Sequence, residues 1–460
     1  MKSHTRLLTV LDRMDNGPVM EEKDFDKLLS KTVRKLIKKY DLCAYDGNDA
    51  ILTDDDMADR FFQAGLELAC TTGVYCTDTH TQMLFSEEEI RQALRWAPDS
   101  VTYGSGLDKC TIIHRTPESP IVPKICGGGF GSPIPEEWFS AVMESYAKEP
   151  VVDTIVGCNF FTTHGRTPKT RSPWEVLLAW REVELIKSAA QRAGRPGIGI
   201  GCVENAVSEI GELTATSYGG FPQTADWHHT CFVSELKTSY GLLIKVAHLV
   251  KTGCTIHSFY NSILGGYAGN SAGVAICSVA GIIMECVVNM ATTFSICPTH
   301  PFYNCDTAPE LIWAASVVQQ AMSRNTHLLT TVMTSPVSGP CTESLLYECA
   351  SMATAATVSG ASRIDGVRSA VGVEVLHVTG LEVRFNGEIA HAAAGVSRKD
   401  ANEMIKEFQK HYVPVLDKKP IGKSFLECYD PIKIEPTQEW LDIYHKVKED
   451  VERIGLKMKF

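Results

Sequence analysis

The stretch Gly194 to Asn205, GRPGIGIGCVEN, constrains the fold more than any other part of the chain. It ends an amphipathic helical run, passes through glycines into a short apolar segment, and closes on a cysteine and a carboxylate. A helix that stops at glycine and gives way to a strand with a polar carboxyl end is the repeating unit of a barrel of alternating strands and helices. Such barrels carry their chemistry at the carboxyl ends of the strands. The preceding helix is expected to start at Ser172, with Pro173 at its first position and Glu175 closing a capping box, and to stop at Gly194 in a left-handed cap. Short apolar runs at Val152 to Val156, Gly197 to Cys202 and His327 to Met333 alternate with helical segments. Strand, helix and strand joined by short links imply parallel pairing with right-handed crossovers. About eight such units predict an α/β fold, a TIM-type (β/α)8 barrel, over residues 100–395.

Helical extensions are expected on both sides of that barrel. Residues 1–99 read as a helical N-terminal extension, with apolar residues at helical spacing over Lys23 to Tyr40 and Asp54 to Ala69. Ser86 and Glu89 have the spacing of a capping box, flanked by Phe85 and Ile90 as a staple. Residues 396–460 read as C-terminal helices packed on the barrel. Ser397 caps one of them, with Met404, Phe408 and Tyr412 on one face, and Trp440, Tyr444, Val447, Val451 and Ile454 form a stripe on the last.

Composition narrows the function classes. Hydrophobic residues at 44% and charged residues at 22% suit a globular protein with a sizeable core. The formal charge of −11 argues against a nucleic-acid footprint, which needs clustered Lys and Arg. The 16 cysteines include no CxxC pair, and the first residues hold no apolar signal core. Together these predict a cytoplasmic protein with thiols buried as small hydrophobes. Ala272 to Ala291 is long and apolar, but Glu285 within it would be costly in lipid, so it is expected to be a buried helix and no membrane association is predicted.

Several motifs carry less than they suggest. The runs Gly127 to Pro133 and Gly265 to Gly273 lack the lysine of a phosphate loop and a clean dinucleotide fingerprint, so they are expected to be turns at strand ends. Asp78, Thr79 and His80 begin like the DxHxxG motif that ligates cobalamin, but Met83 stands where its glycine belongs. Any corrinoid is therefore expected on another protein.

Six further motifs recur in order: VDTIV at Val152 to Val156, AGRPG at Ala193 to Gly197, ELK at Glu235 to Lys237, GGYAG at Gly265 to Gly269, GPCTE at Gly339 to Glu343 and ECYD at Glu427 to Asp430. With YCTDTH and GSPI they make nearly the whole chain resemble the monomethylamine:corrinoid methyltransferases. The resemblance implies a TIM-type barrel, a homo-oligomer with a hexamer among its forms, and transfer of a methyl group from a methylated amine to the cobalt of a separate small corrinoid protein. It implies no permanently bound cofactor; the cobalamin is carried by the partner.

The departures from that family are as informative. Laid beside it without gaps, the family's pyrrolysine falls at Gly201, which cannot replace an electrophilic imine that captures methylamine. Its two site glutamates fall at His229 and Phe259, and its glutamine and tyrosine before GPCTE fall at Met333 and Ser335. Glu204 is retained. The chain thus resembles a non-pyrrolysine relative with a remodelled pocket, and monomethylamine is not its expected substrate. A primary amine leaves poorly, whereas a quaternary ammonium already carries the charge that lets it leave as a neutral amine. The expected donor is therefore quaternary or similarly activated.

On this reading Glu204 and His229 are the catalytic candidates, and Gly201, Cys202, Phe259, Tyr260, Met333 and Ser335 line the substrate space. Phe259, Tyr260 and Trp227 could offer ring faces to a methylated cation. His228 and His229 are adjacent, so at most one faces the pocket on a strand; His229, when protonated, could favour a substrate carboxylate, as in a betaine. Two alternatives stay open. Cys202, His229, Cys231 and His257 offer thiolate and imidazole ligands for a zinc-dependent transfer from a thiol- or oxygen-linked methyl donor. A non-catalytic homologue that only binds a methylated ligand is the other, since fold does not carry function by itself.

Overall fold

The computed structural model describes residues 3–201, 203–205, 208–221 and 225–458. Its centre is a closed parallel barrel of eight strands, β1 Lys124–Gly128, β2 Thr154–Val156, β3 Gly199–Gly201, β4 Trp227–Cys231, β5 Thr255–Tyr260, β6 Thr293–Ile296, β7 Leu329–Thr334 and β8 Arg363–Gly366. A helix follows each strand: α1 Glu136–Ala147, α2 Pro173–Arg192, α3 Glu209–Ala215, α4 Tyr240–Thr252, α5 Ser271–Met284, α6 Pro309–Asn325, α7 Glu343–Val358 and α8 Gly380–Ala393. The expected (β/α)8 barrel is thus present, ringed by its own helices as parallel sheets require.

Local signals explain the framework. The glycine at 194 adopts φ +77°, the left-handed geometry expected beyond α2. Ser86 and Glu89 form both halves of a capping box at the start of helix Glu87–Trp96. The box expected at Ser172 does not form. Glu175 instead accepts from the backbone N–H of Arg171 and from the Ser208 hydroxyl at 2.8 Å, tying the start of α2 to the loop after β3.

The apolar run from Ala272 is a core helix. All of α5 is buried, and a single π-turn, Glu285–Asn289, continues it. Helix Asp55–Thr72 of the N-terminal region covers α5 so closely that a side chain at Gly65 would overlap Val279. Helices Arg398–Tyr412 and Gln438–Ile454 pack on α7, burying Phe408, Tyr412, Trp440, Tyr444, Val447 and Val451.

The barrel interior is a packed core. A hairpin, Ser100–Tyr103 with Cys110–Ile113, closes the amino end, where Gly104 N–H donates to Ala225 O at 2.8 Å and Tyr103 joins an interior cluster with Trp227 and Leu329. Above it lies a polar layer: Asp365 accepts from Arg363 Nε at 2.5 Å, Thr331 Oγ1 at 2.6 Å and Ser295 Oγ at 3.1 Å. The Asp365 half of this buried ion pair is satisfied by Ser295 on β6 and Thr331 on β7, while Arg363 Nη1 has no hydrogen-bond partner among the described residues and its guanidinium lies over the Trp227 ring.

Candidate active site

A cavity of about 280 Å³ opens at the carboxyl ends of the strands. Glu204, His229, Phe259, Met333 and Ser335 all line it, so five positions singled out in the sequence meet there. Glu204 follows β3, His229 lies on β4, Phe259 on β5 and Met333 on β7. Phe130, Asn261, Cys297, Thr299, Asn304 and Arg368 complete the lining, and the sequence reading passed over each of these.

Strand alternation decides which neighbours enter. His229 points into the mouth, while His228 points outward and pairs with Glu212 of α3 at 2.6 Å, both fully buried. Burial alone would lower His228, but hydrogen bonds to Cys254 and Glu212 raise it to about 10. The same alternation overturns the expectation for Tyr260: Phe259 faces the cavity, and Tyr260 packs outward against Gly281 of α5. Trp227 is not a cavity aromatic either. Its indole fills the barrel interior, edge-on to His257 at 4.8 Å and under the Arg363 guanidinium at 4.8 Å.

Trp227 also corrects the reading of Gly201. The Cβ direction of Gly201 ends 2.0 Å from Trp227 Cζ2, so this position backs onto the indole and does not line the cavity. Cys202 lies outside the described residues.

Glu204 is held from behind. Glu182, fully buried on α2, accepts from the backbone N–H of Glu204 at 2.9 Å, from that of Asn205 at 3.0 Å and from Asn205 Nδ2 at 2.7 Å. Burial pushes Glu182 up to about 8 while those donors pull it down. Gly131, at φ +77°, brings the glycine run after β1 against the same carboxylate; a Cβ there would sit 3.2 Å from Glu204 Oε2. That run is a turn at a strand end, as expected, and it also delivers Phe130 to the cavity. His229 Nδ1 stands 3.7 Å from Glu204 Oε1, and its ring meets Phe259 edge-on at 5.6 Å.

Among the described zinc candidates, His229, Cys231 and His257 form no metal-binding group. His257 is buried, hydrogen-bonded to Thr293 Oγ1 at 2.8 Å and faced by Arg363 Nη2 at 3.4 Å; burial first, then Arg363, holds it well below its ordinary pKa. A guanidinium against the ring disfavours a second cation there. Burial raises the Cys231 thiol to about 11, and neither Cys231 nor His257 lines the cavity. Among the described residues no group of three or more His, Cys, Asp and Glu side chains is disposed to hold a metal ion.

A closed parallel barrel with a strand-lined cavity at its carboxyl end defines the class: a (β/α)8-barrel enzyme. The family follows from comparison with known proteins. The family described as monomethylamine methyltransferase MtmB matches residues 6–456, and the chain belongs to it, a family of methyltransferases. It is 35% identical to monomethylamine methyltransferase MtmB3 of Methanosarcina barkeri over 88% of each chain. It is 34% identical to MtmB1 of Methanosarcina acetivorans over 97% of each chain. The crystal structure of Methanosarcina barkeri MtmB superposes with a TM-score of 0.95 at 33% identity, covering 98% of both chains. A crystal structure of the hydroxylamine MtmB complex matches equally well, again with a TM-score of 0.95.

Proposed function

We propose that the chain transfers a methyl group from a methylated amine, quaternary or otherwise activated and not monomethylamine, to the cobalt of a separate small corrinoid protein. The observation that carries this reading is one cavity in which Phe130, Phe259 and Met333 meet the Glu204 carboxylate. Ring faces and a thioether suit N-methyl groups, and the carboxylate offsets an ammonium charge. With glycine at 201 and Trp227 filling the space beside it, position 201 offers no side chain to form an adduct with an amine. The substrate must then bring its own activation.

For a quaternary donor the electron balance is simple. The electron pair of cobalt(I) forms the new cobalt–carbon bond, the carbon–nitrogen bond breaks, and nitrogen leaves with the electron pair of that broken bond as a neutral tertiary amine. No proton has to move. Glu204 and His229 therefore act by binding and orienting the cation so that one methyl group faces the mouth, with Glu182 fixing the turn that carries Glu204.

The acceptor must approach the barrel mouth, and the loops there expose Phe161 after β2, Phe302 after β6, and Val373 and Val375 after β8. These give a corrinoid protein an apolar rim to rest on. The reading includes a homo-oligomer in the cytoplasm, consistent with the described cysteines all being free thiols.

A screen of quaternary amines, betaines and methylamines with cobalt(I) cobalamin, read by the absorbance change on methylation, tests this function. Methylation by a quaternary or betaine donor supports it. No methylation by any of them would leave a protein that binds without turnover.

A further inference from the structure

The cavity has two sides of opposite charge. In the closed ring of eight strands, β3 lies four strands from β7 and β4 four strands from β8, so each pair faces across the barrel axis. Glu204 and His229 stand on the β3–β4 side; Arg368 and Ser335 stand on the β7–β8 side.

The second side is a set of donors. Arg368 is half-buried, donates from Nη1 to Ser335 Oγ at 3.4 Å, and makes no ion pair with a carboxylate among the described residues. Asp306, whose charge Arg368 feels, is turned away: it accepts from Ser335 N–H at 2.8 Å and Cys297 Sγ at 3.5 Å, and burial holds it at about 7. Because Ser335 Oγ accepts from Arg368, its own hydrogen is left to donate. A guanidinium and a hydroxyl on the β7–β8 side of the cavity match the acceptor pattern of a carboxylate.

We propose that this side seats a carboxylate of the substrate, so that the methyl donor is a zwitterion: a methylated ammonium and a carboxylate joined by a short arm. The inference rests on the methyl-donor reading above and names the substrate class of that same site. A cavity of about 280 Å³ is at the small end for ligand sites, which keeps the arm short. The sequence reading placed a substrate carboxylate at His229. With Glu204 only 3.7 Å from that ring, an anion there would face a like charge, and Arg368 is the better seat.

Calorimetric binding of N,N,N-trimethylglycine, N,N,N-trimethyl-4-aminobutyrate and tetramethylammonium to the full chain tests the proposal, with Arg368→Gln and Arg368→Lys alongside. At least one carboxylated probe is expected to bind tenfold or more tighter than tetramethylammonium. Arg368→Gln should cut that preference tenfold or more, the range for losing a hydrogen bond to a charged group, and Arg368→Lys should restore part of it. An unchanged preference in Arg368→Gln, or no binding of either carboxylated probe, overturns the proposal. Methylation of cobalt(I) cobalamin is read separately. Arg368-dependent binding without methylation upholds the carboxylate seat and removes the methyl-transfer reading. Methylation from tetramethylammonium with an unchanged preference does the reverse.

Discussion

Gly201→Ala is the smallest change that probes how the strand end at the candidate site is built. The added Cβ would lie 2.0 Å from Trp227 Cζ2, 2.2 Å from Cη2 and 2.4 Å from Cε2. Carbon atoms sit comfortably at about 3.5–4.0 Å, so all three contacts are deep overlaps. The indole has nowhere to retreat: it is fully buried, with Arg363 4.8 Å over its ring and His257 4.8 Å from it. The backbone at Gly201 is outside the left-handed region, so alanine brings no conformational strain and the whole cost is steric. Overpacking of a dense core costs about 1–3 kcal/mol, and three overlaps against a trapped ring place this case near about 3 kcal/mol. Urea unfolding should show the midpoint falling with an unchanged slope. Trp227→Leu alone should cost about 3 kcal/mol as a large-to-small core change, yet it opens the space that alanine needs. In the double variant the two penalties should fall short of additivity by about 1 kcal/mol or more. Stability of Gly201→Ala within about 0.5 kcal/mol of the parent, or strict additivity with Trp227→Leu, would refute this packing.

Other expectations follow from the same coordinates. His228→Ala leaves Glu212 fully buried without its partner and should destabilise by about 3–5 kcal/mol, while replacing both by leucine should cost less; urea melts of the three variants decide it. Burial raises Asp306 and Glu382 to about 7 each, well above the range of about 4 for an unfolded carboxyl. The folded state therefore holds protons that the unfolded state has lost, and this contribution to stability, complete below about pH 4, disappears as pH rises through 7. The urea midpoint should fall between about pH 4 and pH 7, and a rise over that window would contradict the sign. Phe259→Ala should weaken tetramethylammonium binding by about 0.5–2 kcal/mol in calorimetry, and unchanged affinity would remove the ring from the cation's surroundings.

The barrel was legible because its signals are local and periodic. Gly194 needs its left-handed cap, Ser86 and Glu89 close their box, and the apolar α5 can only be an interior helix once Glu285 is counted. Glu204, His229, Phe259, Met333 and Ser335 were recognisable from a resemblance that runs the length of the chain, and they meet in one cavity. What failed, failed by a single residue or by a tertiary competitor. Tyr260 follows Phe259 on the same strand and so points to the opposite face. Trp227 shares a strand face with His229, but one layer deeper it becomes core. Glu175 had the right spacing for a cap and was taken by Ser208 instead. Phe130, Asn304 and Arg368 sit on irregular loops after their strands, where no period marks which side chain turns inward. Phe130 in particular was hidden in a run of glycines that reads only as a turn.

The central claim is that this barrel mouth accepts a methyl donor already activated by its own charge. Its most direct test is the rate of cobalt(I) cobalamin methylation by the purified chain, measured with a trimethylated ammonium donor and with monomethylamine at equal concentration, and the released amine counted against methylated cobalamin. One tertiary amine should be released per methyl group gained from the ammonium donor, with no methylation from monomethylamine. Methylation from monomethylamine, with the quaternary donors inert, would contradict it.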